Sequence, residues 1–502
     1  MSRRAWLPML GALVLAAAVL RTTFFVGLIG WDDVEYRESS ARLLAGDLVP
    51  GSLFGMRWGL TLPLAAVQAV AGGGERATAV VPLAYSLGAI VLAFALGRRL
   101  AGERAGLVAA AVLTILPLDV LAATDVHADL AASVFLALAA YLALRGEAAW
   151  PRGLHWFGLA GVSLAVATLT KESSLALALV LVAWAVRRGW PIRAGAAIVL
   201  GGVLVLAADM AWLRWATGDW LYRFSPAVTA LHRQHMLMLE PSYTWTLDYL
   251  GLLLNPAGGR FAELAGIFYL VLAATAIALR ARTPGIREVV VWWGALLAAL
   301  SLAPHDLSFT RPLFFHFPRT LQPLVVPFAL TVGLGFVAVR RTRVAPVVLV
   351  GFALVCGIGL WAAHFDYRQW AAVARQAAPV IARAPEGVAI VADPTSAALL
   401  RSLLPARRAS IVTTDAGAPV GAALVLRDPL FLASAVHHRR PVSADVLTPP
   451  ARWERIAVFE RATRPRLRAW MRDEPPATPA ETATLWRAGA GDRRAGVAEL
   501  VR

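Results

Sequence analysis

The sequence predicts a mainly α-helical, polytopic transmembrane bundle of about eleven spans, followed by a C-terminal α/β domain. Three observations carry this expectation. Of 502 residues, 58% are hydrophobic and 16% charged, and the mean hydropathy is +0.63. Soluble domains are roughly 45–50% apolar and about 25% charged. Long apolar runs recur at short intervals up to residue 363, and the arginines cluster in the short loops between them. A net charge of +16 distributed in that way is the positive-inside pattern of membrane proteins, not a nucleic-acid stripe.

The apolar segments are 7–28, 77–97, 105–121, 129–144, 154–170, 173–186, 194–214, 261–279, 289–303, 321–339 and 344–363. Several fall short of the roughly 20 residues that a straight span needs, so they extend into their flanks or border a cavity. The first segment has no small-residue cleavage site before Trp31 and is expected to be retained. Basic groups at Arg3 and Arg4, Arg98 to Arg104, Arg145 and Arg152, Arg187 to Arg193, Arg280 to Arg287 and Arg340 to Arg343 mark alternate loops. Those loops are cytoplasmic by the arginine rule. A stretch at 59–71 is too short to span and is expected to lie in the interface. The single cysteine, Cys356, sits in an apolar run, which excludes disulfides and a cysteine metal site.

The opposite loops gather the unusual side chains. Trp31-Asp32-Asp33-Val34-Glu35-Tyr36 opens the first outer loop, 29–76, which also carries Arg57. The second holds Asp125, His127 and Asp129; the third is almost only Lys171-Glu172. The fourth has His232, His235, Glu240, Tyr243 and Asp248, and the fifth His305, Asp306, Arg311, His316 and Arg319. Ionisable groups beside lipid are costly, so a common face rich in them marks a site. Lys171 is the single lysine among 48 Lys and Arg residues. A snorkelling hairpin tip paired with Glu172 explains it; so does a compact cation for a phosphate at headgroup depth. Asp32 and Asp33, or Asp129, would equally serve as helix caps, and Arg319 as an interface anchor. His232 and His235 are three apart, but no third ligand has a matching spacing, so no metal site is assigned. Trp31, Trp58, Trp212, Trp215 and Trp220 mark interfaces.

Four stretches together resemble the GT-C class of membrane glycosyltransferases, in particular the protein O-mannosyltransferase and aminoarabinose (lipid A) transferase group. They are the Trp31 to Tyr36 cluster followed by Ala41-Arg42-Leu43-Leu44-Ala45-Gly46, the run from Leu96-Gly97-Arg98-Arg99 to Leu116-Pro117, Asp125-Val126-His127-Ala128-Asp129 with Leu169-Thr170-Lys171, and Arg319-Thr320-Leu321-Gln322-Pro323 to Pro327. In the last, Thr320 stands where the family pattern has tyrosine. The likeness covers residues 1–340. It implies sugar transfer from a polyprenyl-phosphate donor to a lipid, glycan or protein acceptor outside the cytoplasm, with inversion and without a nucleotide. By that resemblance Asp32 is the candidate base, with Asp33 the adjacent alternative and Asp129 a secondary acid competing with Asp125. Lys171 and Arg319 would hold the departing phosphate, with Glu172 at the same turn and Arg57 and His127 as further substrate contacts. No cofactor is assigned with certainty, and a divalent metal is left open. The implied location is the plasma (inner) membrane, with a cytoplasmic N-terminus. The competing reading is a transporter or flippase of a lipid-linked or anionic substrate, for which Asp209, inside the seventh segment, is the clearest sign.

The domains expected are therefore 1–363, the transmembrane unit, and 364–502, an extracytoplasmic α/β domain. In the latter 388–391, 410–412, 423–426 and 456–459 read as strands, and 370–383 and 395–404 as helices. It carries no phosphate-binding glycine fingerprint, nucleophile elbow or metal motif, and is expected to dock substrate or a partner. A tail from Arg472 is expected to be partly disordered.

Overall fold

Every apolar segment coincides with helical structure in the computed structural model. It describes residues 6–226, 228–229, 242, 244–254, 261–305, 308–313, 318–339, 344–413, 423–432, 444–462 and 482–488. Outside them lie His232, His235, Glu240, Tyr243, Asp306 and His316, and the tail from Arg472 except 482–488.

The helices used below are α1 (Trp6–Thr23), α2 (Asp32–Leu44), α3 (Trp58–Ala71), α4 (Val80–Ala101), α5 (Glu103–Ile115), α6 (Pro117–Ala122), α7 (Ala128–Ala148), α8 (Leu154–Thr170), α9 (Ala176–Arg188), α10 (Ile192–Thr217), α11 (Ile267–Arg280), α12 (Ile286–Leu302), α13 (Gln322–Val339), α14 (Val344–Trp370), α15 (Ala372–Ala382) and α16 (Pro394–Leu403). Among the described residues six helices are long and apolar enough to cross a membrane: Trp6–Thr23, Glu75–Ala101, Ala128–Ala148, Ile192–Thr217, Pro318–Val339 and Ala345–Trp370. Helix α3 has 14 residues, about 21 Å at 1.5 Å per residue, which is less than a hydrocarbon core of about 30 Å.

Local chemistry explains where the helices depart from the expected spans. The third segment is broken into α5 and α6 at Leu116, whose ψ is 119°, because Pro117 forces the residue before it out of the helical region. The eighth breaks at Ala265 and Gly266, both with positive φ. Helices α8 and α10 touch through small residues: a Cβ on Gly161 would lie 1.9 Å from the Ile198 carbonyl, and one on Gly201 2.1 Å from that of Gly158. Close backbone approach of this kind is how apolar helices associate where lipid removes the hydrophobic drive.

The C-terminal unit contains a five-stranded sheet in the order β2-β1-β3-β5-β4, with β1 Ala389–Ala392, β2 Ile411–Thr413, β3 Ala423–Arg427, β4 Glu454–Phe459 and β5 Ala483–Ala488. Strands β1, β2 and β3 run parallel, and β5 pairs antiparallel to both β3 and β4. Strand β5 lies within the tail expected to be partly disordered. It is ordered because Ala483 and Leu485 are buried in the sheet core.

Helix α16 starts on Asp393, whose Oδ1 accepts from the amides of Thr395 (3.0 Å) and Ser396 (2.9 Å). Burial, reinforced by nearby Asp428, pushes this carboxyl up to about 6. A folded-state value above the unfolded 3.8 means that ionised Asp393 opposes folding. Its favourable share is complete below 3.8 and is lost as pH rises through 6. Asparagine keeps the cap acceptor without the charge. Asp393→Asn should therefore be more stable than wild type at pH 7.5, by on the order of 3 kcal/mol. That advantage should vanish near pH 4 in thermal scans.

The link between α1 and α2 has no regular structure, and side chains satisfy its backbone. The Val26 amide donates to Thr124 Oγ1 (2.9 Å) and the Leu28 amide to Glu75 Oε1 (2.7 Å). The carbonyls of Phe25, Val26 and Leu28 are taken by His364, by Arg368 and Arg375, and by Arg375 respectively. Arg375 also pairs with Glu75. This segment delivers Asp32 to the site.

Candidate functional site

Asp32 and Asp33 begin α2 and part company at once. Asp33 is fully buried, and its carboxylate accepts from the amides of Ile29 (3.0 Å), Gly30 (3.0 Å) and Trp31 (2.7 Å). It folds the incoming loop back on itself, and burial together with Asp125 raises its pKa. The Asp32 side chain is 31% exposed, and its Oδ2 lies 2.7 Å from Arg319 Nη2. Burial pushes the Asp32 carboxyl up. Arg319, His127, Arg57 and Lys171 together outweigh that and hold it down at about 2. Four basic side chains thus act on one carboxylate.

Behind Arg319 stands a second acid. Its Nη1 is 2.5 Å from His127 Nε2, and His127 Nδ1 is 2.7 Å from Asp125 Oδ2. Because arginine can only donate, Nε2 accepts and the imidazole proton sits on Nδ1, facing Asp125. Lys171 ends α8 and places Nζ 3.0 Å from Asp129 Oδ1, at the first turn of α7. Arg57, just before α3, bonds the Tyr36 hydroxyl and lies 3.7 Å from Glu172 Oε2. Glu172 Oε1 and the hydroxyls of Ser173 and Ser174 are buried without a hydrogen-bond partner.

Of the residues selected from sequence, Asp32, Arg319, His127, Asp125, Lys171, Asp129, Arg57 and Glu172 therefore meet in one cluster, and Asp33 is committed to the backbone beside it. The sequence reading passed over a buried group beneath the cluster. Arg21 is fully buried and bonds Asp119 Oδ2 (2.5 Å), Ser86 Oγ (2.6 Å) and the carbonyls of Leu113 and Thr114 (both 3.1 Å). Gln322 Nε2 donates to Asp119 Oδ1 (2.9 Å), three residues beyond Arg319. Its signal was present: Arg21 and Asp119 are ionisable residues inside apolar segments. Asp209 is likewise engaged, by Arg223 (3.0 Å) and by Trp58 Nε1 (2.6 Å). Among the described residues no three His, Cys, Asp or Glu side chains are grouped as metal ligands.

Residues 61–215 match the family profile of dolichyl-phosphate-mannose-protein mannosyltransferase. The structure of ArnT from Cupriavidus metallidurans superposes with a TM-score of 0.61 at 16% identity in its apo state, covering 98% of this chain and 100% of that one. Its undecaprenyl phosphate complex matches with the same TM-score and coverage at 17% identity. The chain has the fold of a GT-C membrane glycosyltransferase. The Archaeoglobus fulgidus oligosaccharyltransferase tethered to an acceptor peptide is a more distant likeness, with TM-score 0.51 and 11% identity over 80% of this chain and 63% of that one. No curated protein matches the sequence.

Proposed function

We propose that the protein transfers a sugar from a polyprenyl-phosphate donor to an acceptor hydroxyl, at the outer face of the plasma membrane and with inversion at the anomeric carbon. The observation that carries this reading is the contact between Asp32 and Arg319, within the field of Lys171, Arg57 and His127. A carboxylate for the acceptor proton beside several cations for a phosphate is the minimum equipment for the reaction. Asp32 accepts the hydroxyl proton as the acceptor oxygen bonds to the anomeric carbon. The bond from that carbon to the phosphate oxygen breaks, and the phosphate leaves with the electron pair towards Lys171, Arg319 and Arg57.

Arg319 has a double use in this scheme. Paired in this way, its guanidinium makes Asp32 too weak a base for neutral pH. A donor phosphate would draw Arg319 to itself and release the carboxylate when substrate is in place. The His127–Asp125 pair orients Arg319 from the other side. On this reading the cluster faces the outer side, the N-terminus is cytoplasmic and the C-terminal unit extracytoplasmic. The acceptor is a lipid, a glycan or a protein.

A flippase reading would need membrane-buried charge available to its cargo, and Asp209 is already held by Arg223 and Trp58. Purified protein given radiolabelled polyprenyl-phosphate mannose or pentose should release polyprenyl phosphate and label an acceptor. Lys171→Met should raise the donor KM by about 10- to 100-fold, the loss of one charge-assisted hydrogen bond. Movement of donor across a bilayer without any sugar transfer would favour the flippase.

A further inference from the structure

The C-terminal unit meets the loop that leads to the site through α16 and the segment that follows β3. The chain leaves β1 through α16 towards β2 on one side, and β3 lies on the other side of β1. The carboxyl ends of β1 and β3 therefore form a topological switch point, the crevice where open α/β sheets take ligands. Here the first loop of the same chain lies against it. A Cβ on Gly30 would lie 2.9 Å from Leu399 Cδ1 and 3.0 Å from Thr395 Cγ2, both on α16. Gly30 has φ +96°, a conformation that only glycine adopts readily. The Trp31 ring packs edge-on against Phe431, just after β3, at 6.2 Å, and against Trp370 at 5.6 Å. Leu28 and Val34 share a core with Ile390, Ala392, Leu424 and Leu426 of β1 and β3. Each wall of the crevice is anchored: Asp393 caps α16, and Asp428, which follows β3, is held by both Nη atoms of Arg461 (2.8 and 2.6 Å).

We propose that the C-terminal unit uses this switch-point crevice to grip Gly30 and Trp31 of its own chain, and so positions the adjacent Asp32. The inference rests on the reading of Asp32 as the base. It gives a positioning task to the unit that was expected from sequence to dock substrate or a partner, since loop residues fill this face. Leu28, Trp31 and Val34 bracket Asp32 and all pack into the unit, whereas Asp33 ties the loop to itself.

The test is steady-state transfer, donor binding and thermal unfolding of Leu399→Ala, Trp31→Ala and Trp31→Phe, each also made in an Asp32→Asn background. Leu399→Ala and Trp31→Ala should lower kcat about 10-fold or more, as displaced catalytic groups do. Polyprenyl-phosphate binding should be unchanged, and Trp31→Phe should recover most of the loss. In the Asp32→Asn background the same changes should cost nothing more, because the group that they displace is gone. Should Leu399→Ala fail to fold, Trp31→Ala carries the test, as its ring is only partly buried. Unchanged kcat in both variants, or losses that multiply with that of Asp32→Asn, would overturn the grip while leaving the base. Full transfer by Asp32→Asn would remove the base assignment and the grip with it.

Discussion

Asp32→Asn should lower sugar transfer by about 10²- to 10⁴-fold, the usual share of a general base, with polyprenyl-phosphate binding nearly unchanged. Asparagine fills the same space and can still face Arg319, but it cannot take the acceptor proton. Removing the carboxylate also takes away an anion that competes with phosphate for Arg319, so the donor phosphate should bind as well or better. Asp33→Asn should behave differently. Asp33 accepts three amides in a buried turn, so its loss should appear first as lower thermal stability, on the order of 1–3 kcal/mol. Comparable kcat losses in both variants with unaltered stability in Asp33→Asn would contradict this division of labour.

The acidic side of the pH profile gives a second reading of the same pair. In the free enzyme Asp32 stays ionised until pH falls through about 2, so kcat/KM should show no acid limb from this group at mildly acidic pH. Arg319→Gln removes the strongest cation holding the carboxyl down, while burial continues to push it up. The limb should then move to higher pH, along with the lower rate expected from losing a phosphate contact. An acid limb that stays put would mean that Asp32 is not the group that titrates.

Composition and loop charge made the bundle legible, because twenty apolar residues in a row have few other fates. The cluster was legible as a list for the same reason: charges on alternate loops of a bundle are brought to one face. Its pairing was not legible. Arg319 meets His127 across 192 residues of sequence, and helix periodicity carries no information on which face of one helix meets which face of another. Asp32 and Asp33 look alike in sequence and differ only in that one turns back to the loop amides. Thr320, which departs from the family pattern, is bonded through its hydroxyl to Tyr249 at 2.5 Å, so a tyrosine from another segment reaches the place. Strand β5 was hidden by its setting, a short run after Pro475, Pro476 and Pro479, and only pairing with β3 and β4 makes it a strand. Hydropathy averaged away Arg21 and Asp119, each one charge within a long apolar window.

That last pair supports the second large effect. Arg21→Met and Asp119→Leu should each destabilise the protein by about 3–5 kcal/mol, since either leaves a buried charge unpaired. The combined Arg21→Met/Asp119→Leu protein should be more stable than either single variant, yet still less stable than wild type. The shortfall has a definite origin. Pro117 has no N–H, so the Leu113 carbonyl loses its helical partner, and the break at Leu116 strips Thr114 as well. Arg21 supplies the missing donors to both carbonyls, and the apolar pair cannot. Activity should fall with stability in the single variants. Asp119 also receives Gln322 (2.9 Å) and Ser86 (2.5 Å), and so joins the end of α1, the kink before the Asp125 loop and the first turn of α13. Those three segments lead to Asp32, His127 and Arg319. Chemical or thermal unfolding in detergent would decide it: a double variant no more stable than the weaker single would mean that the two charges do not act as one unit.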